Sequence, residues 1–389
     1  MDCVAVTGWK GTRMKAIAIV PGTTTPRLVD RPEPTLSGGE DIKLRVLRVG
    51  ICGTDREIAA GGRARAADGA KELVIGHEMF GQVVAVGPAV NSVREGDLAV
   101  FTDRRGCGTC LPCGMNRSDM CRTGNCRERG IWGLDGFQTE FVVDREQYAV
   151  RLGPELEPVG VLTEPLAVAE KAIDEAVRLQ TARLPDAPAT PNWLHGRRCL
   201  VAGLGPIGLL AAMLLRLREA EVHGMDIVAA GSPRAQWLSR IGGRYVDGRQ
   251  VSPDRIDIAL GPMDLILEAT GVPTLAFNLL EALAHDGVCV LTGIPGGDRP
   301  LELPGAELIR HLVLKNHAVV GSVNDARAHY QMAVDDLALA QARWGAHVER
   351  LITHRYPRDE FASALRPHPS EEIKTVIEWA TPCAREGNP

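Results

Sequence analysis

Cys199-Leu200-Val201-Ala202-Gly203-Leu204-Gly205-Pro206-Ile207-Gly208 is an apolar run that breaks into a glycine-rich turn and then into a helical pattern reaching Glu219. A buried strand feeding directly into a helix is the start of a βαβ unit. G-x-G-x-x-G alone is a weak signal, but here it follows a strand, opens a helix, and is followed by an acid, Asp226, at the end of the next apolar run. In that setting Gly203 permits the tight turn, Gly205 lets backbone N–H groups approach a pyrophosphate, and Gly208 lets the helix pack closely on the sheet. Pro206 and Ile207 begin the helix, whose N-terminus favours phosphate. Asp226 can accept hydrogen bonds from both adenosine ribose hydroxyls and would repel a 2′-phosphate. These features predict NAD as cofactor, with NADP possible through Arg234 in the following helix. A plain βαβ unit without ligand is the weaker alternative.

Working outward, strands are expected at Glu221 to Met225, Asp264 to Glu268, Gly287 to Leu291 and Ala318 to Val320, with helices at Pro206 to Glu219 and Val272 to Leu283. This alternation over 196–324 predicts an α/β Rossmann domain, a doubly wound parallel sheet covered on both faces. Upstream, short strands are expected at 42–46, 82–86 and 139–143, after an extension over Met1 to Arg13. A helical stripe follows from Glu164 through Leu166, Ala169, Ile173 and Val177, and Thr181 to His195, with Pro185, Pro188 and Pro191, reads as a linker. The expected organisation is a mostly-β catalytic domain over 14–180, the Rossmann domain over 196–324, and a C-terminal segment over 325–389 that returns to the first domain.

Cys107, Cys110, Cys113 and Cys121 form C-x2-C-x2-C-x7-C. Four soft thiolates on short loops suit a tetrahedral zinc ion, and a closed set of four ligands braces structure rather than doing chemistry. A disulfide-linked loop is the alternative. Gly106, Gly108 and Gly114 supply turns, and Arg104, Arg105, Arg117 and Arg122 are expected to offset the thiolate charge of this lobe, 104–126.

The chain carries 44 basic and 49 acidic side chains, a net charge of −5. That balance gives no pull toward nucleic acid or an anionic membrane surface. No apolar run approaches the roughly twenty residues needed to span a bilayer, and Met1 to Arg13 does not read as a secretion signal. Scattered cysteines beside a thiolate metal site favour a reducing compartment, so a cytoplasmic protein is expected.

Ile51-Cys52-Gly53-Thr54-Asp55, Gly76-His77-Glu78 and Thr163-Glu164-Pro165 place one thiolate, one imidazole and two carboxylates in the chain. Singly, each has a bland explanation: a small buried Cys, a satisfied His, a Glu favouring a helix dipole. Together they suit an open zinc site with a position left for water or substrate.

These motifs, with Glu128-Arg129-Gly130-Ile131, Asp135-Gly136-Phe137, Glu170-Lys171 and Gly321-Ser322-Val323-Asn324, make the chain resemble the zinc-dependent medium-chain alcohol dehydrogenases, most closely their glucose dehydrogenase branch. The resemblance implies a GroES-like catalytic domain with a structural zinc lobe. It implies a catalytic zinc held by Cys52, His77 and Glu164, with Glu78 close enough to ligate directly or through water, and thus two zinc ions per chain. Thr54 resembles the hydroxyl that relays the substrate proton, and Asp55 a partner of His77. Glu128, Glu164 and Asn324 match substrate contacts. Thr270, Thr292, Gly293, Ile294, Ser322, Val323 and Asn324 match cofactor contacts. The implied activity is hydride transfer from a sugar or polyol hydroxyl to NAD(P)+, in a homodimer or homotetramer acting on a small polyhydroxylated molecule. The chain departs from some members of the branch in carrying Asp103 where they have Asn. A dehydrogenase of a cyclitol, amino alcohol or simple secondary alcohol is the rival within enzymes; a non-catalytic cofactor-binding protein is the rival outside them.

Overall fold

The computed structural model describes residues 12–185, 187, 191–297, 300–368 and 371–382. Residues 1–11 of the expected N-terminal extension, Pro188 of the expected linker, and Cys3 and Cys383 lie outside the described residues.

Among the described residues, six parallel strands form one sheet in the spatial order Arg244–Asp247, Glu221–Asp226, Arg198–Ala202, Met263–Glu268, Leu283–Leu291, Ala318–Gly321. The chain reverses direction across the sheet at Arg198–Ala202, so the glycine-rich turn sits at the topological switch point, where doubly wound sheets bind ligands. The helix Pro206–Leu217 buries Leu209, Leu210, Met213 and Leu214 against the sheet. The sequence pattern missed the edge strand Arg244–Asp247, too short and polar to alternate clearly. The helix expected over Val272 to Leu283 is interrupted: Pro273–Asn278 is α-helical, Leu279–Ala282 is 3₁₀, and Leu283 already opens the next strand.

A second, seven-stranded sheet is built mainly from the first 152 residues and holds the strands Asp41–Ile51, Glu78–Val86, Leu98–Phe101 and Ala149–Leu152. One side of it is completed by two strands from late in the sequence. Lys374–Glu378 pairs antiparallel with Asp41–Ile51, and Ile352–Pro357 lies parallel beside it. The helix Thr163–Arg183 runs along the boundary between the two sheets and packs on both Arg327–Trp344 and Pro206–Leu217. It extends through Thr181 to Arg183, so the connection to the six-stranded sheet begins after Arg183 and not at Thr181 as expected, with Arg183 anchored to the carbonyls of Asp286 and Asn316.

Candidate active site

Cys52 ends the strand Asp41–Ile51 and caps the helix Gly53–Ala59, its Sγ accepting from the Thr54 amide at 3.1 Å. Asp55, completely buried, returns Oδ2 to the Cys52 amide at 3.0 Å, which fixes the thiol's position. His77 directs Nε2 at Cys52 Sγ, 3.1 Å away, and Nδ1 lies 3.7 Å from Asp55 Oδ1. Cys52, His77 and Glu78 bring one ligand atom each within 4.8 Å of one another. Burial lowers the basicity of His77, but the Cys52 and Asp55 charges outweigh it and hold the ring well above its ordinary pKa. One soft sulfur, one imidazole nitrogen and carboxylate oxygen converging in this way suit zinc.

Glu78 is also claimed from behind. The Lys374 ammonium, on the returning strand, forms an ion pair with its carboxylate, both side chains being almost wholly buried. Glu164 opens the Thr163–Arg183 helix and groups with Asp103 and Asp325, each offering an oxygen within 4.8 Å of the others. Burial pushes the Glu164 carboxyl up to about 8; His77 opposes the rise, while Glu78 and Asp103 add to it. By distance Glu164 thus belongs with Asp103 and Asp325, while its charge bears on the Cys52–His77–Glu78 set. Thr54 is half-buried, two residues beyond Cys52.

Two of the three expected substrate residues, Asn324 and Glu128, touch each other. Asn324, in the left-handed region at φ 60, donates through Nδ2 to Glu128 Oε1 at 3.1 Å and to Asp103 Oδ2 at 3.4 Å. Arg104 also donates to Glu128 Oε1, at 3.0 Å, from the facing strand. The Tyr330 hydroxyl contacts Asp103 Oδ1 at 3.3 Å. Neither neighbour of Glu128 in sequence is its ionic partner: Arg129 turns inward to Asp144.

At the switch point, Gly203 has φ 93, and a Cβ added to Gly208 would fall 1.8 Å from the Gly203 carbonyl oxygen, so both positions require glycine. A Cβ on Gly205 would meet nothing within 4 Å, which leaves the approach to the turn open. Asp226 accepts from the amides of Leu204 at 2.8 Å and Ile227 at 2.6 Å, and Arg234 lies 3.9 Å away. Val272, Ile294 and Val323 are exposed around the strand ends, apolar surface suited to a flat heteroaromatic ring. Thr270 and Thr292 turn their hydroxyls to Glu268, as does the Thr270 amide; Gly293 packs against Gly271 too closely for any side chain. Ser322 is buried with its hydroxyl unpaired.

The four lobe thiols each place sulfur within 4.8 Å of the rest, and none is in a disulfide. Thiolates about 2.3 Å from a common zinc lie about 3.8 Å apart along each tetrahedral edge. Cys107 and Cys113 Sγ are separated by 3.8 Å. A Cβ on Gly106 would fall 2.4 Å from Cys113 Sγ, so the loop passes directly behind the cluster. The expectation for the arginines is corrected: Arg104, Arg105 and Arg117 are held by Glu128, Asp144 and Asp119. Charge on Cys107 is met instead by the Thr109 and Thr123 hydroxyls and by the amides of Thr109 and Cys110, which lower its pKa to about 5.

Residues 157–379 match the family described as glucose dehydrogenase C-terminus, and 38–154 match the alcohol dehydrogenase GroES-like domain. The glucose 1-dehydrogenase of Thermoproteus tenax is 38% identical over 373 residues, 95% of this chain and 100% of that protein. The glucose 1-dehydrogenase of Halobacterium salinarum is 36% identical over 95% of this chain and 100% of its own length. The chain belongs to the glucose dehydrogenase branch of the zinc-dependent medium-chain alcohol dehydrogenases. A solved structure from the same branch, Haloferax mediterranei glucose dehydrogenase in complex with NADP, zinc and gluconolactone, superposes with a TM-score of 0.84 at 33% identity, covering 95% of this chain and 100% of that one.

Within this dehydrogenase, three groups at the site escaped the motif reading. Lys374, Asp325 and Tyr330 come from the last quarter of the chain, and only tertiary structure brings them to Glu78, Glu164 and Asp103. Lys374 did carry a signal, a lysine opening an apolar strand, but nothing local named its partner.

Proposed function

We propose that the chain oxidises the C1 hydroxyl of an aldose to a lactone, using NAD+ in preference to NADP+. The observation that carries this reading is the Asn324–Glu128–Asp103 cluster, which sets hydroxyl-pairing groups beside the Cys52–His77–Glu78 set. Glu164 joins the two, its charge acting on His77 and its carboxylate lying within 4.8 Å of Asp103. A site built to pair hydroxyls rejects analogues that lack them, because its buried polar groups are left unsatisfied.

Zinc held by Cys52, His77 and Glu164 or Glu78 would acidify the substrate hydroxyl, and the nicotinamide would take the hydride. The chain's own groups do the rest. Asp55 holds Cys52 through its amide and faces the remote nitrogen of His77. Lys374 offsets the charge of Glu78, so the buried set is less anionic. Thr54 carries the hydroxyl proton outward. Glu128, Asp103 and Asn324 orient the ring hydroxyls. Asp226 receives the adenosine ribose, and its charge disfavours a 2′-phosphate.

A cationic polyol such as an amino sugar is the second reading, favoured by the three buried carboxylates Asp103, Glu164 and Asp325. Purified protein assayed with NAD+ and NADP+ against glucose, xylose, glucosamine, myo-inositol and 2-propanol separates these. Oxidation of 2-propanol as efficient as that of any sugar would remove the sugar assignment.

No helix among the described residues is long and apolar enough to cross a membrane. The free thiols support the cytoplasmic reading. For the homodimer or homotetramer, support comes from exposed Ile309, Val313 and Leu314 on the helix Gly305–Leu314 beside Val319 of the edge strand Ala318–Gly321. Such an apolar patch next to an open sheet edge calls for cover by a second copy. Light scattering of Ile309→Glu against the unmodified protein tests it.

A further inference from the structure

Lys171 lies two turns beyond Glu164 on the Thr163–Arg183 helix, seven residues on and hence on nearly the same face. Its side chain is 2% exposed. A buried ammonium is costly unless it is paired and hydrogen-bonded, and its partners come from two distant parts of the chain. Asp119 Oδ2 is 3.0 Å away, in the four-cysteine lobe two residues before Cys121. The Val323 carbonyl oxygen accepts from the same Nζ at 2.8 Å, in the segment that follows the last strand of the cofactor sheet.

Both ends of this link are themselves fixed. Asp119 is completely buried and receives Arg117 through Nε at 2.9 Å and Nη2 at 2.8 Å, while Arg117 also reaches Glu175 on the same helix, at 3.1 Å. The lobe is therefore tied to the helix at residues 171 and 175, one turn apart. At the other end, Val323 is followed by Asn324, whose left-handed backbone persists because its surroundings hold it.

We propose that Lys171 is a positioning residue that couples the four-cysteine lobe to the Ser322–Asp325 segment, so that the lobe sets how tightly the nicotinamide end of the cofactor is held. The inference rests on the reading of Ser322–Asn324 as cofactor and substrate contacts. Lys171 touches neither ligand in this scheme; it acts through the Val323 carbonyl.

The test measures NADH affinity by nicotinamide fluorescence in K171M, D119N, the K171M/D119N double variant and N324A, with zinc content determined for each. K171M is expected to weaken NADH binding about tenfold, within the usual range for coupling residues, while two zinc ions are retained. D119N is expected to act in the same direction, and the double variant to match K171M, since both remove one link. Should K171M not fold, D119N, which keeps the ammonium, carries the same measurement. A folded, two-zinc K171M protein with unchanged NADH affinity, or additive effects in the double variant, overturns the proposal. If N324A weakens NADH and K171M does not, the coupling fails and the site reading stands. If neither does, the site reading fails first.

Discussion

Asn324 of the cofactor half and Glu128 of the catalytic half are in direct hydrogen-bond contact, Nδ2 to Oε1 at 3.1 Å. The cleft is thus bridged by two of the three side chains expected to meet a sugar. Any polyol that enters must exchange its own hydroxyls for this contact, and an alcohol with one hydroxyl cannot.

Glu128→Ala is accordingly expected to lower kcat/KM for the best sugar by about tenfold to a hundredfold, the cost of leaving hydroxyls and Arg104 unpaired, with a much smaller effect on a simple secondary alcohol. Steady-state kinetics with both substrates check it. Equal losses would show that Glu128 supports the fold and does not select the substrate.

Metal analysis should return two zinc ions per chain. Cys110→Ser is expected to lose one and to melt at lower temperature, because a structural zinc contributes folding energy directly. His77→Ala is expected to lose or loosen the other while NADH still binds. One zinc in carefully purified unmodified protein would contradict the pairing of sites.

Asp226→Ser should shift cofactor preference toward NADP+ by about tenfold or more in the ratio of kcat/KM values, since the group repelling a 2′-phosphate is gone and Arg234 remains. Serine keeps an acceptor for the Leu204 amide, so the turn survives. A preference for NADP+ in the unmodified enzyme would sink the reading of Asp226.

Lys374→Met leaves the Glu78 carboxylate buried without its counter-charge. Breaking a buried ion pair from one side typically costs about 3–5 kcal/mol, to be read by urea unfolding of the zinc-loaded protein. Adding Glu78→Gln should recover much of the loss. No destabilisation by Lys374→Met would mean that zinc alone balances Glu78.

Burial, reinforced by the nearby Lys315 charge, pushes the His317 ring down to about 4 from an ordinary 6.5. The folded pKa lies below the unfolded one, so the unfolded chain binds more protons between these values. The contribution is complete above pH 6.5 and is lost as pH falls toward 4. His317→Asn should flatten the fall of Tm across that window; an unchanged profile would assign the acid sensitivity to other groups.

The sequence disclosed what short-range chemistry dictates. Gly203 and Gly208 announce themselves because one needs a positive φ and the other a backbone approach that no side chain allows. The four thiols lie within one short loop, so their spacing already encodes their meeting. Partners were hidden where the chain returns over long distances. Arg104 seemed placed for thiolate charge, yet it crosses to Glu128 on the paired strand. Asp103, Glu164 and Asp325 meet through three different elements, and no periodicity connects them. Glu78 was legible as an acid beside a metal ligand, while the cation that shares it lay almost three hundred residues away.

That last separation has a consequence for synthesis. The strand carrying Lys374 is interior to the first lobe's sheet, between Asp41–Ile51 and Ile352–Pro357. A nascent chain emerging N-terminus first can assemble its four-cysteine loop early, because those ligands are local. It cannot seat the Lys374–Glu378 strand or balance Glu78 until the chain beyond residue 374 has left the ribosome. The local thiolate cluster can therefore form well before the Glu78–Lys374 pair does.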